Sequence, residues 1–329
     1  MLFRSDLDYE NCGVEIVATA KQLYQSAQLI IKVKQPLDQD IGYLTNRHVL
    51  FSYLHLAADL GFIHTLCDIG LTAIPFESIA DNNGALPLLA PMSQVAGRIA
   101  AIRGASLLFT NRGGRGVLLG GVDGADTGRV VVLGAGVAGS HAVAVLAALG
   151  AKVDVLDLDA KELEALKRLH LRIETQLSDA QRVETLCHDA DLGVGAVLLA
   201  GRRAPVVLKR SVVKQMNAGS VIVDIAIDQG GCVEGIRSTS SEELCYVDNG
   251  VIHSAVPNMP AAVARTASQS LSSAILPYVL TLASTDFDQL GQSDSAQARA
   301  IHAAIAIHHG EVVDEILQQE LAVEESPLI

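Results

Sequence analysis

The sequence predicts an α/β fold in two domains, and three observations predict it. Short aliphatic runs alternate with helix-like segments along most of the chain, the rhythm of a parallel sheet with crossover helices. The stretch 129–157, RVVVLGAGVAGSHAVAVLAALGAKVDVLD, reads as strand, glycine loop, helix, strand and acid. Hydrophobic residues make up 50% of the 329, enough material for two packed cores.

From the N-terminus, 14–17 (VEIV) and 29–33 (LIIKV) have strand character, with a helical KQLYQSAQ between them. A further strand, 49–57 (VLFSYLHLA), leads into a helix ending near Gly70, and LTAIPFES continues as strand and loop. A long helix follows, with Ser93 as its expected N-cap and Val95, Ala96 and Ile99 as its buried stripe. The segment 112–126 is too rich in glycine for regular structure. After the glycine loop the rhythm resumes. A strand is expected at 191–198, a helix ending at Gly219, a long apolar strand over 220–228 closing on Asp228, and a short strand over 247–255. A last long helix starts near Pro260 and is interrupted at Pro277; the tail 288–329 is expected to be helical, then acidic and frayed.

The glycines of the central stretch have separate mechanical roles. Gly134 permits the tight turn off the strand, Gly136 lets backbone approach a pyrophosphate, and Gly139 allows close packing of helix on strand. With Val137 and Ala138, they put an uncapped helix N-terminus, with its positive dipole end, against phosphate. Asp157, 18 residues after Gly139, stands where a carboxylate accepts bonds from the adenosine ribose and repels a 2′-phosphate. The expectation is a Rossmann domain that prefers NAD to NADP, spanning 91–263 and inserted in a discontinuous α/β substrate domain made of 1–90 and 264–329. A cleft between two such domains is where substrate meets nicotinamide.

Bulk properties exclude other classes. A net charge of −13 with no run rich in Lys and Arg argues against nucleic acid. The opening residues carry no apolar signal region, and 271–283 is too short to span a bilayer. Five cysteines without C-x-x-C spacing read as reduced thiols, neither disulfide framework nor metal site. A cytoplasmic protein is expected.

Four polar residues close apolar runs, where ligands gather in open α/β sheets: Lys34, His55, Asp228 and Asn258. Each has a plain reading: solvated strand end, core histidine, turn cap and helix N-cap. Their coincidence around one expected cleft favours chemistry.

Nine segments resemble the alanine dehydrogenase family, which includes the NAD-binding subunit of proton-translocating transhydrogenase. They are KVKQPL (32–37), LFSYLHLAA (50–58), ALPLLAPMSQVAGR (85–98), GGRGVLLGGV (113–122), VVLGAGVAG (131–139), VLDLD (155–159), GAVLLAGRRAP (195–205), VKQMNAGSVIVDIAIDQGG (213–231) and PNMPAAVART (257–266). IDQGG and LHLAA favour the dehydrogenase. The resemblance implies NAD-dependent oxidative deamination of L-alanine to pyruvate and ammonia, by a homo-hexamer without a metal. It implies His55 and Asp228 as proton-transfer residues and Lys34 and Asn258 as substrate contacts. Ser93, the 134–139 loop, Asp157, Val197, Leu198, Ile227, Asp228, Asn258 and Met259 would be cofactor contacts. The family's opening strands, with an arginine in an R-V-A-x-T-P context that grips the substrate carboxylate, have no counterpart in this sequence. The substrate domain is therefore expected to lack its first strands and to bind alanine weakly. The alternatives are a catalytically impaired NAD-binding protein and a transhydrogenase-like NAD-binding subunit.

Overall fold

Strands form where β-branched and aliphatic residues run together, and the two clearest runs, 129–133 and 152–157, lie side by side in register (Val132 opposite Val155). The structure, a computed structural model, describes residues 5–170, 173–199, 202–240 and 242–324. Two compact units divide the chain: Ala90–Ala267 forms one, and the segments before Ala90 and from Ser268 onward form the other.

The first unit has a five-stranded sheet: β1 (Leu29–Ile31), β2 (Val49–Ser52), β3 (Thr72–Pro75), β11 (Ile307–His308) and β12 (Glu311–Val312), adjacent in that order. The first three are parallel; β11 lies antiparallel on β3, Ile307 opposite Ala73. Helices α1 (Asp6–Glu10), α2 (Ala20–Ser26), α3 (Asp38–Ile41) and α4 (Leu60–Ile69) precede the excursion into the other unit. Helices α11 (Ala296–Ala303) and α12 (Glu315–Glu324) follow the return. Tyr24, Ile30, Leu50, Leu54, Ile63, Leu66, Ala73, Ile307 and Leu317 share its core.

The second unit carries a seven-stranded sheet of β4 (Arg129–Leu133), β5 (Lys152–Asp157), β6 (Ile173–Leu177), β7 (Leu192–Gly195), β8 (Val221–Asp224), β9 (Tyr246–Asp248) and β10 (Val251–Ser254). Its order is β6-β5-β4-β7-β8-β10-β9, and only β9 is antiparallel. Successive residues feed opposite cores. Val130, Val132, Val153, Val155, Val194 and Val223 pack beneath α5 (Ala90–Leu107), α6 (Val137–Ala148) and α7 (Ala160–Leu169). Val131, Leu133, Leu156 and Ile222 pack with α8 (Ala180–His188) and α9 (Arg210–Val213). Cover on both faces is why the central strands β4, β7 and β8 are almost continuously apolar. The strand order reverses between β4 and β7, and ligands bind at such switch points, beyond the carboxyl ends of the strands. Helix α5 lies hard against α6: a Cβ on Gly97 would stand 2.1 Å from the Ala138 carbonyl oxygen.

Several local expectations are corrected. Residues 14–17 form no strand; Val14 and Ile16 are exposed and pair with neither edge of the sheet. Ser93 is not an N-cap, because α5 already begins at Ala90, with Pro91 in its first turn, where proline's missing N–H costs nothing. The strand over 220–228 ends at Asp224, whose side chain turns back to accept the Ala226 N–H and starts a 3₁₀ turn, Ile225–Gln229, that carries Asp228. Residues 246–254 form a hairpin, not one strand, turned by Asn249 and Gly250 at φ 52° and 80°. Helix α10 (Ala264–Ser284) runs through Pro277 without a break. The tail contains the β11–β12 hairpin besides α11 and α12. The fraying expected at its end falls on 325–329, outside the described residues.

Candidate active site

At the carboxyl end of β4, Gly134 adopts φ 107°, which a side chain would strain, and a Cβ there would meet the Ala196 carbonyl oxygen at 2.6 Å. A Cβ on Gly139 would stand 1.8 Å from the Gly134 carbonyl oxygen, so α6 can start this close only with glycine. Gly136 differs. It is the N-cap of α6, at φ −61° and ψ −169°, and a Cβ there would meet nothing within 4 Å. Open space therefore lies beside Gly136 at the start of α6, whose N-cap supplies no side-chain bond to its first N–H groups, the kind of place a pyrophosphate fills.

Asp157, at the end of β5, is tied to this loop. Its Oδ2 accepts the Ala135 N–H at 2.6 Å and its Oδ1 the Asp159 N–H at 2.8 Å. Val197 and the exposed Leu198 follow β7, next along the sheet from β4. Ser93 is half-buried within α5.

Asp228 and Asn258 meet directly. Both Asp228 carboxylate oxygens accept the Asn258 N–H, at 3.0 and 3.2 Å. Asn258 holds left-handed backbone, φ 52° and ψ 47°, ahead of a 3₁₀ turn, Met259–Val263, that its side chain does not cap. Asparagine tolerates this conformation better than most residues. Met259 is buried beneath it and Ile227 is half-buried beside Asp228.

In the first unit the loops after β1 and β2 are laced together. Phe51 accepts from Lys32 N–H at 3.2 Å, the Ser52 hydroxyl donates to the Lys34 carbonyl at 2.9 Å, and Gln35 Nε2 donates to the Leu54 carbonyl. This lacing sets Lys34 Nζ 3.0 Å from His55 Nε2. Lysine can only donate, so Nε2 is the acceptor and the neutral ring carries its proton on Nδ1. His55 too is left-handed, φ 48° and ψ 41°. The Tyr53 ring stacks on it at 6.2 Å between centroids, and the Tyr53 hydroxyl donates to the Leu88 carbonyl at 2.5 Å. Burial, and then the charge of Glu77, push the Tyr53 phenol well above its usual range.

Two buried carboxylates escape the sequence reading. Glu77 accepts the Leu54 N–H at 3.1 and 3.3 Å and the His55 N–H at 2.5 Å. Asp224, fully buried, accepts from Ala226 N–H at 2.8 Å, Cys232 N–H at 2.8 Å, Val233 N–H at 3.3 Å and the Cys232 thiol at 3.5 Å. Burial pushes the Asp224 carboxyl up against the downward pull of these bonds. It pushes the Cys232 thiol up further, reinforced by Asp224. An acid isolated inside an apolar run, as in VIVDIAI and TAIPFESI, is the signal that marks both.

Lys34 and His55 thus meet in one unit, and Asp228, Asn258 and the glycine loop belong to the other. Comparison with known proteins decides the family. The N-terminal domain of "Alanine dehydrogenase/PNT" matches residues 3–96 and its C-terminal domain residues 100–315. The chain belongs to the alanine dehydrogenase family. It is 41% identical over 320 residues to "Alanine dehydrogenase" of Mycobacterium tuberculosis (strain CDC 1551 / Oshkosh), covering 97% of this chain and 85% of the relative. Against the Bacillus subtilis (strain 168) alanine dehydrogenase it is 40% identical over 321 residues, covering 97% and 83%. A solved structure titled L-alanine dehydrogenase superposes with a TM-score of 0.86 at 42% identity, over 97% of this chain and 87% of that one. A transhydrogenase from Sinorhizobium meliloti shares the fold, with a TM-score of 0.74 at 24% identity over 95% and 86%. The two alanine dehydrogenase domain matches take in every residue of the candidate site: Lys34, His55, Glu77 and Ser93 in the first, the glycine loop, Asp157, Asp224, Asp228 and Asn258 in the second. Among the described residues of this alanine dehydrogenase family chain, no helix is long and apolar enough to cross a membrane.

Proposed function

We propose that the chain catalyses the reversible oxidative deamination of L-alanine to pyruvate and ammonia with NAD. Identity near 41% across 97% of the chain to proteins named alanine dehydrogenase carries the reading, and the local geometry suits it.

NAD, when bound, takes up the hydride from the substrate carbon. The glycine loop, with Val137, Ala138 and Gly139, holds the pyrophosphate, Asp157 accepts from the adenosine ribose, and Ser93, Val197, Leu198, Ile227, Asn258 and Met259 line the rest of the cofactor's path. The ribose bond still available to each Asp157 oxygen, and its negative charge, favour NAD over NADP. Residues 91–263 act as the NAD-binding domain; 1–90 and 264–329 act as the substrate domain.

Lys34 holds the substrate carbonyl oxygen, where an ammonium steadies developing negative charge. His55 takes up and returns a proton at Nε2, the atom that Lys34 already addresses. Asp228 serves as base toward the substrate amine and the water that hydrolyses the imine, and Asn258 orients the substrate. The working form is a homo-hexamer in the cytoplasm, a state that light scattering after gel filtration checks.

The test is NADH formation from NAD and L-alanine at alkaline pH, followed by absorbance, beside calorimetric titration with NAD. Alanine-dependent turnover with NAD and not NADP supports the reading. NAD binding without turnover overturns it in favour of a nucleotide-binding protein.

A further inference from the structure

Asp224 is fully buried, and its hydrogen-bond partners Ala226, Cys232 and Val233 are not among the residues assigned to substrate or cofactor. A carboxylate in that position is costly unless every lone pair is used. Its two oxygens are used unequally in space. Oδ1 takes the Ala226 N–H, at the start of the 3₁₀ turn Ile225–Gln229, and at 3.5 Å the Cys232 thiol; Oδ2 takes the backbone N–H groups of Cys232 and Val233, beyond that turn. The segment 225–231 therefore leaves and returns to a single carboxylate, and Asp228 sits at its middle. Capping the turn alone needs one acceptor, which Ser or Asn supplies. The second oxygen is what fastens the backbone at the far end.

The surroundings leave the clamp no slack. A Cβ on Gly195 would stand 2.4 Å from Cys232 Sγ and 3.3 Å from Asp224 Oδ1. One on Gly231, at φ +80°, would stand 2.4 Å from Ile236 Cγ2 and 3.1 Å from Asp224 Oδ2. Small residues on two sides bring the strand β7 and the returning loop onto the carboxylate, leaving it no room to shift toward either. At the far side of the loop, Asp228 engages the Asn258 N–H.

We propose that Asp224 is the positioning residue for Asp228: by holding both ends of the 225–231 loop it fixes where the Asp228 carboxylate stands. The inference rests on the reading of Asp228 as a proton-transfer group. Asn at 224 keeps the size but replaces one acceptor oxygen by a donor that must face an N–H, so one end of the loop is released.

The experiment is a double-mutant cycle on the full chain with Asp224→Asn, Asp228→Asn and both, measuring kcat and KM for L-alanine, the NAD Kd by calorimetry and the thermal midpoint. Asp224→Asn is expected to lower kcat about 10- to 100-fold, as a misplacement near 1 Å does, with KM and Kd changed far less. The double variant is expected to be no slower than Asp228→Asn, because residues that act as a unit are not additive. Additive losses, or a lower midpoint with unchanged kcat in the folded protein, would overturn the proposal. Should Asp224→Asn fail to fold, amide exchange in the unmodified chain decides: the amides of Ala226, Cys232 and Val233 must exchange as slowly as those of β8, and fast exchange sinks the clamp. If Asp228→Asn turns over alanine at the unmodified rate, it is the reading of Asp228 that fails, and the clamp loses its purpose with it.

Discussion

Lys34 Nζ stands 3.0 Å from His55 Nε2, and hydrogen bonds between the loops after two adjacent strands keep it there. If His55 moves the proton, His55→Ala lowers kcat by about 100- to 10,000-fold. Lys34→Ala is expected to lose a comparable amount, and the double variant to lose much less than the product of the two. Steady-state rates with L-alanine and with pyruvate check both directions.

Glu77 holds the turn on which His55 stands. Replacing it by Ala removes the one carboxylate oxygen that accepts both the Leu54 and the His55 N–H. Glu77→Ala is expected to cost about 1–3 kcal/mol of stability, the penalty for buried donors left unmet. Urea titration measures it. An unchanged midpoint would mean that the left-handed His55 backbone is held by other contacts.

The glycine loop separates a packing glycine from a ligand glycine. Gly136→Ala is expected to fold normally, since its Cβ meets nothing within 4 Å. It should still weaken NAD binding about ten- to a hundredfold, the loss of one charge-assisted bond of about 1.5–3 kcal/mol. Gly139→Ala drives a methyl into the Gly134 carbonyl and is expected to destabilise the fold itself by about 1–3 kcal/mol. Calorimetry and thermal melts on the same two proteins distinguish the effects.

Asp157→Ser removes the charge proposed to face the adenosine ribose and the carboxylate oxygen that accepts the Ala135 N–H. KM for NAD is expected to rise and the preference over NADP to shrink. A preference that stays intact would place discrimination elsewhere in the loop.

His253 supplies a pH prediction. It is buried on β10, stacked on Tyr246 at 5.1 Å, with neither ring nitrogen bonded among the described residues. Burial holds its pKa below the usual value; Asp248 pulls upward and Arg210 downward to a lesser degree. The folded protein thus keeps the ring neutral while the unfolded chain takes up a proton near pH 6.5. Stability is fully present above that pH and is lost as pH falls through it toward the folded pKa. Melting temperatures between about pH 5 and 8 are expected to fall on the acid side, and His253→Leu should flatten that slope.

Much of this was legible because some constraints are written directly in residue types. Gly134 and Gly139 occupy positions that only glycine fits, and Asp157 closes the strand Lys152–Asp157, whose Val153, Val155 and Leu156 are buried. The four polar residues at the ends of apolar runs pair two by two, Lys34 with His55 and Asp228 with Asn258. What stayed hidden depends on contacts between distant residues. The run IAI continues the apolar pattern of β8, so nothing local says that the strand stops at Asp224; its partners Cys232 and Val233 lie eight and nine residues on. The β11–β12 hairpin turns on His309 and Gly310, and histidine at φ 48° is not a residue by which turns are recognised. Ser93 carries the composition of a cap, but Pro91 had already opened the helix.

The pairing of β3 with β11, Ile307 beside Ala73, has a consequence for how the chain acquires its structure during synthesis. When the ribosome has released residue 267, everything the second unit requires is present. The sheet of the first unit still waits for a strand made 40 residues later, which must close a loop of more than 200 residues. Domains fold as units, amino-terminal material first, yet here the interior segment of the polypeptide is expected to complete itself before either flank. The bare edge of β3 is exposed to mispairing throughout that interval. Nascent chains halted just short of Ile307 should therefore resist protease over Ala90–Ala267 and be cut freely before it.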